Sequence, residues 1–392
     1  MFKLYGDGIH DDTNAIQEMI DSGVCEVSLP APKICYLISK PLELPSNFRL
    51  VLPRFAEIKL AKGSNCVMLK NKTITNRAER IQVKIWDYIN EFDSDYECSN
   101  IEVCGGVWNC NNLEQKANPL LCSENYENGY NGFGFLFYNV KNLIITSLTM
   151  KDPVTFAITL DKTSYFTIEN LIFDFNYGNP LAANMDGVHI NGNSHFGRIT
   201  NLKGACYDDL VALNADEGSN GPITNVDISG IYAEDCHSAI RLLTVENPIE
   251  HIHISDIHGT YFQYCVGLTK FYHGETNGHY DSITIDNVYA SKAIRIPVYN
   301  KSPESYVYPL IYIEKEHKIR NMKISNIHRI EYINPVETIF VGQDTVVENL
   351  ILENITTQNH TESTDMPLFV NKGNVKNMNA TNIWADGNKI CL

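Results

Sequence analysis

Hydrophobic and polar residues alternate at a spacing of two in many short runs, for example residues 226–231 and then Ile240-Arg241-Leu242. Period-two alternation predicts half-buried β-strands. From Ile168 onward one phrase recurs: apolar, polar, then Asn (or Gly or Asp), then apolar. It reads Ile168-Glu169-Asn170-Leu171, Ile199-Thr200-Asn201-Leu202, Ile228-Ser229-Gly230-Ile231 and Ile254-Ser255-Asp256-Ile257. It continues as Ile285-Asp286-Asn287-Val288, Ile324-Ser325-Asn326-Ile327, Leu352-Glu353-Asn354-Ile355 and Ala380-Thr381-Asn382-Ile383. The steps between successive third positions are uneven, shortest from Gly230 to Asp256 and longest from Asn287 to Asn326. A unit of this size cannot bury its own apolar face, so neighbouring units must stack. Asn or Gly at the phrase centre suits a tight turn with an unusual φ. The predicted fold is therefore all-β, a single-stranded right-handed parallel β-helix. Loops of varying length absorb the uneven steps. A β-sandwich or propeller fits less well, since those favour shorter hairpin spacing or a steadier period.

The front of the chain predicts a cap. In "YGDGIHDDTNAIQEMIDSG", Asp11, Asp12 or Thr13 can start a helix over residues 12–22, with Ala15, Ile16, Met19 and Ile20 on one face and Gly23 as a stop. Such a helix covers the open first rung of a solenoid. The expected organisation is one domain over residues 1–392, with the cap in 1–30 and the coils over about 45–390. The same stretch resembles the "GDG-x-x-DDT-x-AIQ" opening found in many proteins of the pectate lyase-like superfamily, phage tailspikes included; that motif speaks for the fold.

Charge narrows the function classes. The 392 residues carry a formal net charge of −16. A nucleic acid or an anionic membrane is not the expected partner, since such surfaces demand clustered Lys and Arg. No apolar stretch approaches membrane-spanning length and the first six residues are no secretory signal. Eleven cysteines without framework spacing suit a reducing compartment. A cytoplasmic location is expected. Cys236 and Cys265 fall at matching places in neighbouring coils, with Cys206 one position off, which suggests a stacked ladder of small apolar side chains.

Within this frame, residues 184–216 hold a group of aspartates. Asp186 precedes Val188-His189-Ile190, and Asp208-Asp209 precede Leu210-Val211-Ala212-Leu213. The interval from Asp186 to Asp209 makes a plausible single coil, which would put Val188 over Val211 and Ile190 over Leu213, all inward. Carboxylates one coil apart, about 5 Å, repel by roughly 1 kcal/mol in water and more in a partly dry cleft. Such clustering raises a pKa, as a general acid needs. Solvated or turn-capping aspartates are the plain alternative. In the following coils, Ser238 to Leu242 lie over the Asp209 run, His237 joins the column of Asp208, and Lys270 falls under Arg241 if Thr269 and Phe271 point inward. Arg241 and Lys270 are either solvated charges or substrate clamps. No metal is required: His189, His237 and the aspartates lack tight ligand spacing.

The series "NMD", "YDD", "CHS" and "LTK" over residues 184–270 resembles the "NTD", "DD", "GHG" and "RIK" series of glycoside hydrolase family 28, the polygalacturonases and their relatives. The resemblance implies that Asp186 and Asp209 activate water and that Asp208 protonates the leaving oxygen. His237 would tune the acid, and Lys270 would hold the sugar, with Arg241 and His189 as further substrate-binding candidates. Two positions depart from the pattern. The family arginine that binds galacturonate falls on Leu268, and GHG reads Cys-His-Ser. The expected function is inverting hydrolysis of a glycosidic bond in an oligosaccharide, uronate-containing by the resemblance and trimmed from one end. No cofactor is implied, and a monomer is expected over a homotrimer. Sugar identity and linkage would be set by loops such as residues 111–130 and 272–280. Two other classes fit the same fold. A polysaccharide lyase or uronate epimerase would use Lys270, Arg241 or His237 on the C5 proton, and a tailspike-like protein would bind glycan without turnover.

Overall fold

The computed structural model describes residues 3–73, 97–116, 133–176, 185–270, 277–294 and 308–392. They form two compact units, Met1–His189 and Ile190–Leu392, divided inside strand Val188–Asn191. Each unit is a stretch of right-handed parallel β-helix. None of the helices among the described residues is long and apolar enough to cross a membrane.

The first unit opens with helix α1 (Thr13–Ile20), shorter at both ends than the sequence suggested. Asp11 supports its first turn, accepting a hydrogen bond from the Thr13 amide at 2.8 Å. Asp12 instead turns its carboxylate back to the amides of Tyr5 and Gly6, at 2.6 and 3.1 Å. Ile16 and Ile20 are buried, while Ala15 and Met19 are half-buried. Behind the helix run two sets of parallel strands. One stacks Glu26–Ser28, Phe48–Val51, Cys98–Cys104, Val140–Thr146 and Ser164–Asp174. The other stacks Leu42–Leu44, Leu69–Asn71, Phe135–Tyr138 and Ile158–Asp161.

The second unit repeats the plan with longer strands on one side. His195–Ala205, Ile223–Cys236, Ile249–Tyr261, Gly278–Lys292, His317–Glu331, Val346–Asn359 and Asn374–Ala385 pair in sequence. The short side stacks Asp209–Asn214, Ser238–Leu243, Val266–Thr269, Ile311–Ile313, Ile339–Val341 and Phe369–Asn371. The first residue of the recurring phrase builds the core. Ile199, Ile228, Ile254, Ile285, Ile324 and Leu352 pair in register, and all are fully buried. Removing each from water stabilises the stack by about 1.5–3 kcal/mol, an upper figure because unfolded chains already bury some surface.

The phrase centres behave in an instructive way. Asn170, Asn201, Asp256, Asn287, Asn326, Asn354 and Asn382 have φ between 53° and 58°, and Gly230 has φ 70°. All eight adopt the left-handed region, which Asn, Asp and Gly tolerate best. They do not separate strands, as expected from the sequence; they bend single continuous strands. Their side chains also form ladders: Asn326 donates to Asp286 at 2.7 Å, Asn354 to Asn326 at 3.1 Å, and Asn382 to Asn354 at 2.7 Å.

Candidate active site

In the first unit the relevant group is a buried pair. His189 Nδ1 lies 2.6 Å from Asp186 Oδ2, with both residues at most 3% exposed. The backbone carbonyls of Asp186 and Gly187 accept hydrogen bonds from Ala157 and Ile158, which seats this turn on strand Ile158–Asp161. The Phe156 ring lies flat on the imidazole, with centroids 3.8 Å apart and planes 7° from parallel. His189, a substrate-binding candidate in the sequence, is 2% exposed here, packed under Phe156 and beside Asp186. Asn184, the first residue of the "NMD" triplet, lies outside the described residues.

The second unit holds the larger group. The register expected around Asp209 is observed: Asp209 pairs with Ser238, Val211 with Ile240 and Leu213 with Leu242. The aliphatic pairs point inward and fix the ladder, so residues just before each strand meet at its mouth. There the Asp208 carbonyl accepts from the Ser238 amide at 3.1 Å, and the Cys206 carbonyl from the His237 amide at 3.2 Å. Carboxylate oxygens of Asp208 and Asp209 lie within 4.8 Å of each other. Two full charges at that separation repel by roughly 3 to 4 kcal/mol at an effective dielectric of ~20. Burial and the neighbouring Asp208 push Asp209 up to about 7, against the pull of the Arg241 guanidinium.

Arg241 explains how Asp209 is tolerated. Its Nη1 stands 3.1 Å from Asp209 Oδ2, and its Nε donates to the Tyr264 hydroxyl at 2.8 Å. That hydroxyl lies 3.3 Å from Asp209 Oδ1, which closes a triangle of three buried side chains. Asp209 is 1% exposed and Arg241 18% by side chain, so Arg241 is a buried partner and not a solvated charge. A cation recruited here would find the carboxylates of Asp208 and Asp209, with Arg241 already on one side of the second. His237 is 3% exposed, and burial, with Arg241 adding to it, pushes its imidazole down to about 3. It is neutral near pH 7. Its Nδ1 lies 3.7 Å from Asp208 Oδ1, beyond hydrogen-bond reach but close enough to shape the field there.

Lys270 is not where the sequence suggested. Arg241 pairs with Gly267, and Leu242 with Leu268, so Gly267 and not Lys270 lies under Arg241. The coil step here equals the short one from Gly230 to Asp256, whereas the expected alignment needed the longer one before it, Asn201 to Gly230. Lys270 is 8% exposed; its Nζ is 3.0 Å from Glu316 Oε2, and its amide donates to Glu314 at 2.7 Å. The same register turns Leu268, fully buried, into the core, so it does not occupy the place of an outward arginine. A Cβ on Gly267 would stand 2.6 Å from the Tyr264 ring. The glycine thus leaves the space that Tyr264 fills. Phe271 and part of each proposed specificity loop, residues 117–130 and 272–276, lie outside the described residues.

Sequence reasoning missed Tyr264, Glu314 and a supporting chain. Lys292, 2% exposed, donates to the carbonyls of Gln263 and Tyr308 at 2.6 and 2.9 Å, and burial pushes it down to about 7. The Gln263 side chain accepts from Ser238 at 2.9 Å, beside His237. A glycine opposite an arginine, shortly after a tyrosine, was the available signal for Tyr264. The cysteine ladder is present: Cys206 and Cys236 sulfurs lie 3.5 Å apart, and with Cys265 they are fully buried. All ten described cysteines are free thiols. An unrelated concavity of about 520 Å³ in the first unit is lined by Phe55, Glu57, Lys151 and Asp174 among others. Its Lys151 ammonium is half-buried and pairs with the exposed Asp174 at 2.8 Å.

The stacked coils define a parallel β-helical protein. The model of the family described as glycosyl hydrolases family 28 matches residues 45–240, half of the chain, and the chain belongs to that family. No curated relative matches it. Among solved structures, it is similar to the endo-xylogalacturonan hydrolase of Aspergillus tubingensis (14% identity, 95% of this chain and 98% of that one, TM-score 0.68). It is also similar to the family 28 exopolygalacturonase of Yersinia enterocolitica (13%, 96% and 77%, TM-score 0.57). A tailspike protein of an E. coli bacteriophage matches too (12%, 94% and 63%, TM-score 0.62). At these identities the structural likeness speaks for the fold alone.

Proposed function

We propose that the protein is a polygalacturonase-like glycoside hydrolase that cleaves by single displacement with inversion, trimming a cytoplasmic oligosaccharide from one end as a monomer. The observation that carries the reading is the close Asp208-Asp209 pair, with the buried Asp209 raised to about 7 and held against Arg241. Two carboxylates this close carry one negative charge more readily than two, and an acid–base pair needs one proton between them. Burial and the neighbouring carboxylate hold a proton on the doublet up to about pH 7, and while the two side chains share it Asp209 is the base that takes a proton from water. Asp208, the more exposed of the doublet and beside the neutral His237, protonates the leaving oxygen. Free thiols throughout the described residues suit a reducing compartment.

The test is to incubate the protein with a panel of plant and bacterial oligosaccharides and follow the first-formed anomer by proton NMR. Inversion of configuration supports the reading. Retention would reject single displacement, an unsaturated ultraviolet-absorbing product would select a lyase, and binding without turnover a tailspike-like role.

A further inference from the structure

Charge beyond the acid pair says what kind of sugar fits there. Gly267 pairs with Arg241 on one side and with Tyr312 on the other, and Ile311 and Ile313 flanking Tyr312 are fully buried. Tyr312, and Glu314 two residues on, therefore continue the outward positions of the coils that carry Arg241. Glu314 accepts the Lys270 amide at 2.7 Å, and Lys270 Nζ lies 3.0 Å from Glu316. Lys315 Nζ is 3.6 Å from the other oxygen of Glu316. Around this flank, among the described residues of the second unit, Asp208, Asp209, Glu314 and Glu316 stand against Arg241, Lys270 and Lys315. Each of those three cations already has a carboxylate partner at 3.6 Å or closer.

A uronate bound here would have to share Arg241 with Asp209 or take Lys270 from Glu316. Either exchange leaves a displaced carboxylate among others of the same sign, which disfavours it. Among the described residues the coil offers no outward cation in compensation: the position under Arg241 is Gly267, and its space holds the Tyr264 ring. Tyr308 and Tyr312, half-buried with ring centroids 4.7 Å apart, form a wall there, backed by the buried Tyr264 ring. Ring edges and hydroxyls suit the mixed apolar and hydroxyl surface of a neutral pyranose.

We propose that the sugar unit lodged beside Asp208-Asp209, on the Glu314 side, is an uncharged pyranose and not a uronate. The proposal rests on the hydrolase reading of the same site. Its test uses a matched pair, an oligogalacturonate and its fully methyl-esterified form, identical in ring and linkage and different only in charge. Calorimetry on the Asp208→Asn variant at moderate salt reads binding apart from turnover. The ester should bind at least tenfold more tightly, and Glu314→Gln on that background should shrink the preference at least threefold. Equal or tighter binding of the acid form, no binding of either, or a preference untouched by Glu314→Gln would each overturn the inference. The native protein separates the two ideas. Ester-selective binding without turnover of any glycan would sink the hydrolase reading and keep the subsite, whereas brisk turnover of the acid form would do the reverse.

Discussion

The second unit has two outer faces, and they solve opposite problems. On the long-strand side a column of Tyr232, His258, Tyr289 and His328 stacks ring on ring, at centroid distances of 4.9, 5.1 and 4.7 Å with planes within 12°. Beside it the asparagine ladder hands one hydrogen bond from coil to coil. Every side chain there meets a like neighbour, and the face is open to water. On the short-strand side the repetition breaks over three successive coils: Asp208-Asp209 meet His237, Arg241 and Tyr264, all unlike and mostly buried. Repetition stabilises; the break in repetition stores unfavourable electrostatics that only chemistry or binding would use. The difference locates the site more sharply than any concavity does.

The largest effect expected from breaking this comparison comes from Asp208→Asn. Removing a general acid should lower turnover by about 10³-fold. The melting temperature should move little, because Asp208 is the less buried member of its pair; a reducing-end assay and a thermal melt read both. Next is Arg241→Met, which leaves Asp209 buried without its cation. Denaturant unfolding should show a loss of about 3 kcal/mol, and a loss near zero would mean that Asp209 is kept neutral in the native protein.

A pH series sharpens the same point. Asp209 has a folded pKa near 7, above its unfolded value, so the native state binds its proton more tightly. Its contribution to stability is full below about pH 4 and is lost as pH rises through about 7. His237, pushed down to about 3, acts oppositely: its contribution is present above about 6.5 and is lost as pH falls towards 3. Comparing native protein with Asp209→Asn across this acid-to-neutral range isolates the first slope, which the variant should lack. Activity should run the same way, falling as pH rises through about 7, where the doublet loses the proton it shares. The smallest effect belongs to the open face. Tyr289→Ala should cost about 1 kcal/mol of stacking and burial and leave turnover unchanged.

Much of this was legible in the chain. The recurring phrase announced the solenoid because its apolar residues had nowhere to go except onto one another. It also announced its own register: the step that sets Asp209 on Ser238 is the same as the step from Asn201 to Gly230. The next and shorter step, Gly230 to Asp256, is the one that sets Arg241 on Gly267, so the true place of Lys270 could have been read from the repeat. The placement of Lys270 assumes that Thr269 and Phe271 point inward, whereas the residue stacked on Leu242 in the core is Leu268. What was not legible was burial. Nothing in a sequence says that Arg241 folds back onto Asp209, or that Tyr264 reaches across a missing side chain to join them. Those depend on side-chain directions, and a motif carries only spacing.

The left-handed residues at the phrase centres have a further consequence for how such a chain can change. A backbone held at positive φ favours Asn, Asp and Gly, the residues at all eight points, so these points act as pegs, and length is added or removed most readily between them. The intervals already differ widely while the strands stay in register, from the tight Gly230-to-Asp256 spacing to the roomy Asn287-to-Asn326 one. New glycan preferences can therefore be acquired by insertion into the connecting segments, while the scaffold tolerates almost no substitution at its pegs.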